Sequence, residues 1–143
     1  MFNMKTYLIK AKVPRNQASY LSYLKRSILD ICEERDTECV VEFLDGRILL
    51  FLSSADVLNE IKNLKGVISV HDVIIFEEYA SVIDHISHLL KNKTTFAIRS
   101  NKKELEKKVG ADIVSRTGLK VNLTSPDIIV KVEKRGKYYL VYL

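Results

Sequence analysis

The sequence has no tryptophan, two cysteines, two prolines and five glycines in 143 residues. Each shortage removes a class of protein. Cys32 and Cys39 are too few for a disulfide framework, and too few for a structural zinc site without other ligands, so a reducing, cytoplasmic setting is expected. The glycines stand singly at 46, 66, 110, 118 and 136. That spacing leaves no GxxxxGKS/T, GxGxxG or GxSxG pattern for phosphate, dinucleotide or acyl chemistry. Apolar runs such as Ile48–Leu52 and Val73–Phe76 break well short of the about 20 residues a membrane-spanning helix needs. Met1–Lys5 lead directly into an alternating stretch, so neither a signal peptide nor a membrane partner is expected. At 47% hydrophobic and 29% charged residues the composition is that of a folded globular chain.

Acidic residues are scarce in one half only. Residues 1–90 carry 10 basic and 13 acidic side chains, a balance of −3, whereas residues 91–143 carry 13 basic and 5 acidic, a balance of +8. Such an excess in the C-terminal part points to an anionic partner, nucleic acid ahead of a membrane surface, because no helix combines strong positive charge with exposed aromatics.

Periodicity divides the chain into two sets of elements. Tyr7, Ile9, Ala11 and Val13 alternate with Leu8, Lys10 and Lys12, which predicts a strand ending at Pro14. Asn16 is placed to cap a helix with the apolar stripe Ala18, Leu21, Leu24, Ile28 and Ile31–Cys32. Val40–Leu44 and Arg47–Leu52 flank Asp45-Gly46, a dipeptide suited to a two-residue hairpin turn because both residues tolerate positive φ. Ser54 opens a short helix through Val57, Leu58, Ile61 and Leu64 that Gly66 stops, and Val67–Phe76 is a strand. The order is βαββαβ, the ferredoxin-like arrangement. A second set follows: a helix through Val82, Ile83, Ile86, Leu89 and Leu90, a strand Thr94–Arg99, and a helix from Lys102 to about Thr117 with Leu105, Val109 and Ile113 inward. Then come a strand Leu119–Leu123, a Thr124–Asp127 turn and a hairpin of Ile128–Glu133 with Tyr138–Leu143. The expected fold class is therefore α+β, with domains at 1–78 and 79–143 that pack as a rather rigid pair, since about 65 residues bury only a modest core alone.

Little in this chain suggests catalysis. His85 and His88 lie one turn apart on a helix beside Asp84, but no third metal ligand is evident, and surface histidines are the simpler reading. Cys32 falls on an apolar helix stripe with no histidine nearby in sequence to act as a base. No catalytic residue, metal ligand or cofactor site is assigned.

Three segments carry a family resemblance: Thr94-Thr95-Phe96-Ala97-Ile98-Arg99, then Gly110-Ala111-Asp112-Ile113, then Lys120-Val121-Asn122-Leu123-Thr124-Ser125-Pro126-Asp127 and on to Glu133. They resemble the THUMP domain, whose pattern is a TFxxR strand, an lGxxI helix and a kVdLxnPDxxixve strand-turn-strand. That domain occurs in tRNA thiouridine synthetases, tRNA and rRNA methyltransferases, pseudouridine synthases and the adaptor of tRNA cytidine acetyltransferase, often behind a ferredoxin-like domain. The segment between Arg99 and the next helix, Ser100-Asn101, is shorter here than is usual in the family. No catalytic domain follows in this sequence, so the resemblance implies a non-catalytic, tRNA-binding module that grips the acceptor-stem 3′ end and presents it to a separate modification enzyme. Two alternatives stand beside it: the RNA-binding subunit of a split thiouridine-forming sulfurtransferase, and a protein-interaction module, such as a homodimer formed through the ferredoxin-like sheet.

The RNA-binding candidates follow from charge and placement. Arg99 stands at a strand end, where its guanidinium can offer a planar fork to phosphate oxygens, a surface salt bridge being the alternative. Lys102, Lys103 and Lys107 share a helix with Arg116, and Lys120 opens the next strand. Lys134, Arg135 and Lys137 surround the last hairpin, beside Tyr138 and Tyr139, one of which should be core. In the first unit Lys10, Lys12 and Arg15 belong to a basic run that precedes the first acid, Asp30. Basic side chains with few base-reading groups imply recognition of RNA shape and backbone.

Overall fold

Residues 4–13, 15 and 17–143 are described by the computed structural model. Pro14 and Asn16, and with them the predicted strand stop and helix cap, lie outside the described residues. The chain divides into two compact units, Met1–Asp72 and Val73–Leu143.

In the first unit, strand β1 (Lys5–Ala11) leads to helix α1 (Gln17–Glu34) and the hairpin of β2 (Cys39–Leu44) and β3 (Arg47–Leu52). A single 3₁₀ turn, Ala55–Val57, precedes the short helix α2 (Leu58–Lys62), and β4 (Val67–Phe76) follows. The strands are antiparallel in the order β2-β3-β1-β4, as the ferredoxin-like pattern requires. Alternation decides the core: Tyr7 and Ile9 of β1 and Ile48, Leu50 and Leu52 of β3 point to the face on which Leu24, Ile28 and Cys32 of α1 and Ile61 of α2 are buried. Each such side chain contributes about 1.5–3 kcal/mol by leaving water. The hairpin turns at Asp45 (φ 43°) and Gly46 (φ 82°), both left-handed as its sequence demands. Ser54 accepts a hydrogen bond from the Asp56 amide at 3.2 Å, which starts the 3₁₀ turn. Gly66 (φ 87°) ends the segment under Tyr20, whose hydroxyl donates to the Lys65 carbonyl at 2.8 Å.

The second unit begins inside β4, because the last four residues of that strand pair with another partner. It contains α3 (Tyr79–Leu89), β5 (Thr95–Ser100), α4 (Lys103–Thr117), β6 (Lys120–Val121), β7 (Ile128–Arg135) and β8 (Tyr138–Tyr142). The end of β4 is antiparallel to β8, and β8 to β7, while β5 runs parallel to both β7 and β6. Val82, Ile83 and Ile86 of α3 and Val109 and Ile113 of α4 bury against Phe96, Ile98, Val130, Val132 and Val141. Gly118 (φ 73°) closes α4 in the left-handed conformation, its amide bonded to the Val114 carbonyl at 2.9 Å. Tyr138 and Tyr139 are both half-buried, and Tyr139 packs on this core.

One predicted element shrinks. The alternation of Leu119–Leu123 reads as a five-residue strand, but only Lys120–Val121 pair as one. The Asn122 amide still reaches the Phe96 carbonyl at 2.9 Å, while its side-chain oxygen accepts from the amides of Thr124 and Ser125, both at 3.0 Å. That side chain offers the backbone an alternative to the ladder and turns the chain away. The following Asp127 then ties the turn to β5: its Oδ2 accepts from the amides of Thr94 (2.8 Å) and Thr95 (3.2 Å), and its own amide donates to Thr95 Oγ1 at 3.0 Å. Those two amide bonds hold the Asp127 carboxyl below its usual range.

Two stability predictions arise here. A β-carbon at Gly66 would stand 2.5 Å from the Tyr20 hydroxyl, in a backbone conformation that disfavours any side chain. Gly66→Ala should cost about 1–2 kcal/mol from the backbone alone, and a Tyr20→Ala background should recover only the steric remainder on top of it, as read by denaturant titration. The second concerns pH. A depressed carboxyl stabilises the fold above its unfolded value and loses that contribution as pH falls through the folded one. The stability gap between the wild type and Asp127→Asn should therefore be full at neutral pH and close in acid below the usual carboxylate range; a gap that does not change with pH would contradict it.

Candidate nucleic-acid interface

The parallel β5–α4–β6 connection brings most of the C-terminal candidates to one helix and the strand beneath it. Arg99, at the end of β5, is half-buried. Its guanidinium donates to the carbonyls of Ile98 (3.4 Å) and Leu123 (3.3 Å), so it holds the post-β6 turn rather than a carboxylate. The short segment after it is built tightly. The Ser100 amide donates to Glu106 at 3.0 Å, the Lys102 amide to the Ser100 hydroxyl at 3.2 Å, and the Glu106 amide to the Lys102 carbonyl at 3.0 Å. Glu104 and Glu106 sit in the first turn of α4, where their charge is favourable, while Lys102, Lys103, Lys107 and Lys108 remain exposed along the helix.

On the β6 side of α4 a groove of about 400 Å³ opens. Lys103 and Lys107 stand along it with Glu106, and Ile98, Gly110, Ala111, Val121 and Leu123 supply its apolar lining. Leu123 is 65% and Val121 44% exposed, although both are aliphatic. Gly110 has no backbone requirement for glycine: it lacks a positive φ, and a β-carbon there would meet nothing within 4 Å. A glycine inside a helix costs about 1 kcal/mol relative to alanine, so the fold alone gives no reason for it. Gly110, Val121 and Leu123 belong to the segments that resemble the family pattern, but charge and placement alone do not mark them as groove residues, because they look like a helix residue and an ordinary strand alternation.

The remaining candidates divide. Lys120 is exposed on β6. Lys134 lies on β7, on the other flank of α4, its Nζ 4.2 Å from the Tyr139 ring centroid. Arg135 donates to the buried Glu133 carboxylate through Nε and Nη2, both at 3.0 Å, and Tyr142 adds a hydroxyl to the same carboxylate at 2.5 Å. Arg135 is thereby committed to a buried charge. Arg116 pairs with Asp84, and Lys137 with Glu77 at 3.5 Å, whose charge raises the lysine. In the first unit, Lys12 and Lys65 flank a cleft of about 320 Å³ with Val13, Tyr20 and Gly66, Arg15 is exposed, and Lys10 is half-buried. Burial, with His88 adding, pushes His85 down. Burial pushes the Cys32 thiol up to about 12, next to Cys39, so it is a poor nucleophile. Among the described residues no group of three His, Cys, Asp or Glu side chains is arranged for a metal, and no helix is long and apolar enough to cross a membrane.

Comparison with known proteins places this geometry. Residues 85–143 match the THUMP domain. A probable tRNA sulfurtransferase of Methanocaldococcus jannaschii is 30% identical over 77% of this chain. A 4-thiouridine synthetase solved in complex with RNA and ATP shares the fold at 17% identity and a TM-score of 0.68 over 98% of the chain. The PH1313 protein of Pyrococcus horikoshii does so at 18% identity and 0.71 over 97% of the chain, and TrmN of Thermus thermophilus at 15% and 0.52 over 96%. This chain spans 35% of the sulfurtransferase and 41%, 54% and 44% of the three solved chains. The strand-turn-strand around Asp127 and the βαβ crossover lie within the matched segment: residues 85–143 of this chain carry a THUMP domain.

Proposed function

We propose that this chain binds tRNA at its unpaired 3′ end, through the groove beside α4, and presents it to a separate modification enzyme. The observation that carries the reading is that groove: an apolar floor at Gly110, Val121 and Leu123, of a size to receive a base, edged by Lys103 and Lys107 with Arg99 close to its turn. An apolar surface rimmed by point charges suits a flexible strand, whose bases seek cover and whose phosphates seek cations. The +8 balance of residues 91–143 supports an anionic partner, and the tRNA-modification proteins that share the fold support tRNA as that partner. Lys10, Lys12 and Arg15 are basic residues of the first unit that we count with the RNA-binding set, in a functional division we place at 1–78 and 79–143. We assign it binding, in the cytoplasm, without catalysis or cofactor. The sulfurtransferase relationship favours a second reading, in which the chain is the RNA-binding subunit of a split thiouridine-forming enzyme. Co-purification decides between them: a sulfurtransferase in the bound fraction supports the second, another modification enzyme the first.

Two measurements test the site. Arg99→Ala and Lys107→Ala should each weaken tRNA binding several-fold and lower the slope of log K against log salt by about one, whereas Arg116→Ala, which loses only its pairing with Asp84, should leave the slope unchanged. In the groove itself, Gly110→Ala should raise stability by about 1 kcal/mol, while Gly110→Leu should keep the fold and reduce binding of tRNA more than of tRNA lacking its 3′ CCA. Equal loss for both RNAs would remove the groove from the model.

A further inference from the structure

The other flank of α4 is also basic, but its chemistry differs. There Lys108 Nζ lies 4.3 Å from the Tyr79 ring centroid and Lys134 Nζ 4.2 Å from that of Tyr139, and the two rings stand 6.0 Å apart at 60°. The result is a ladder of lysine, tyrosine, tyrosine, lysine running from α4 to β7. Both ends are fixed. Tyr79 donates its hydroxyl to Asp112 on α4 at 2.6 Å. The Asn101 side chain clasps the Lys134 backbone, accepting from its amide at 3.1 Å and donating to its carbonyl at 3.3 Å. Beside the ladder a concavity of about 490 Å³ is lined by Lys102, Lys103, Glu104, Leu105 and Lys108, so that Lys103 borders both flanks. Among the described residues Lys102, Lys108 and Lys134 make no ion pair.

We propose that this ladder is a second RNA contact, and that it takes the phosphate backbone of a duplex while the groove on the opposite flank takes the unpaired end. The proposal rests on the tRNA reading above. An ammonium seated on a ring face keeps N–H groups pointing outward and has lost part of the rotamer freedom that a dangling lysine gives up on binding. It is thus a pre-placed point charge. The ring faces that would stack a base are already occupied by those ammoniums, which removes the main device for gripping single strands. Fixed cations without a free stacking platform or base-reading amides match double-stranded RNA, recognised by shape and phosphate. Placing the duplex on one side of α4 and the overhang on the other makes the helix the divider at the junction between paired and unpaired RNA.

The test titrates the full chain with a blunt RNA duplex, the same duplex with a 3′ overhang, and the overhang sequence as a free single strand. Lys108→Gln with Lys134→Gln should weaken blunt-duplex binding roughly tenfold and lower its salt slope by about two, while changing single-strand affinity less than twofold. Lys107→Gln, at the lysine that lines the groove and not the concavity, should reverse that pattern. Lys108→Arg with Lys134→Arg keeps the charge and should restore duplex binding, which separates a lost contact from a damaged fold. If the ladder pair leaves duplex binding intact while Lys107→Gln still weakens tRNA, the proposal falls and the tRNA reading stands. If neither the ladder pair nor Lys107→Gln affects tRNA, the reading itself falls. Stronger competition by polyglutamate than by duplex of equal charge would overturn the proposal in favour of an acidic protein.

Discussion

Parallel pairing of β5 with β6 is the constraint that the candidate interface depends on. Two parallel neighbours cannot be joined by a tight turn, so the chain must cross over the sheet, and α4 is that crossover. Val109 and Ile113 anchor its underside in the core. What remains is a helix with a core-facing stripe and two free flanks, one above β6 and one toward α3 and the last hairpin. Both flanks are basic because the lysines of α4 are spread around the helix rather than gathered on one face. Each acquires its own chemistry from what stands next to it: exposed aliphatics from β6 and its turn on one side, tyrosines on the other.

The turn that follows β6 shows how polar side chains set that surroundings. Asn122 withdraws two amides from the strand ladder, Asp127 returns the chain to β5, and Arg99 holds the Leu123 carbonyl. Together they leave Leu123 exposed over the groove instead of buried in a longer strand. The residues that fix the turn thus shape the groove through their bonds to the backbone. A similar economy holds for Arg135 and Glu133. A buried carboxylate requires partners, and meeting that need with Arg135 and Tyr142 takes a cation out of the surface set.

Much of this was legible in the sequence, and for local reasons. Periodicity and turn residues determined the order of elements in both units: the hairpin at Asp45-Gly46, the stop of α4 at Gly118, the core stripe of Leu105, Val109 and Ile113, and the span Val67–Phe76 as one strand all depend on neighbours close in the chain. The charge asymmetry pointed to an anionic partner, and the motif around Lys120–Asp127 to the THUMP match of the C-terminal part. Tertiary structure alone decided which cations belong together. Lys103 and Lys107 meet at one groove while Arg99 holds the turn beside it, Lys108 and Lys134 lie on another surface, and Arg116, Arg135 and Lys137 are paired elsewhere. No local pattern distinguishes these, because an ion pair or a cation on an aromatic face is formed with residues tens of positions away in the chain. The same holds for Gly110 and Leu123. A glycine without a backbone requirement and an aliphatic side chain in a turn acquire meaning only when packing places them on the two sides of one groove.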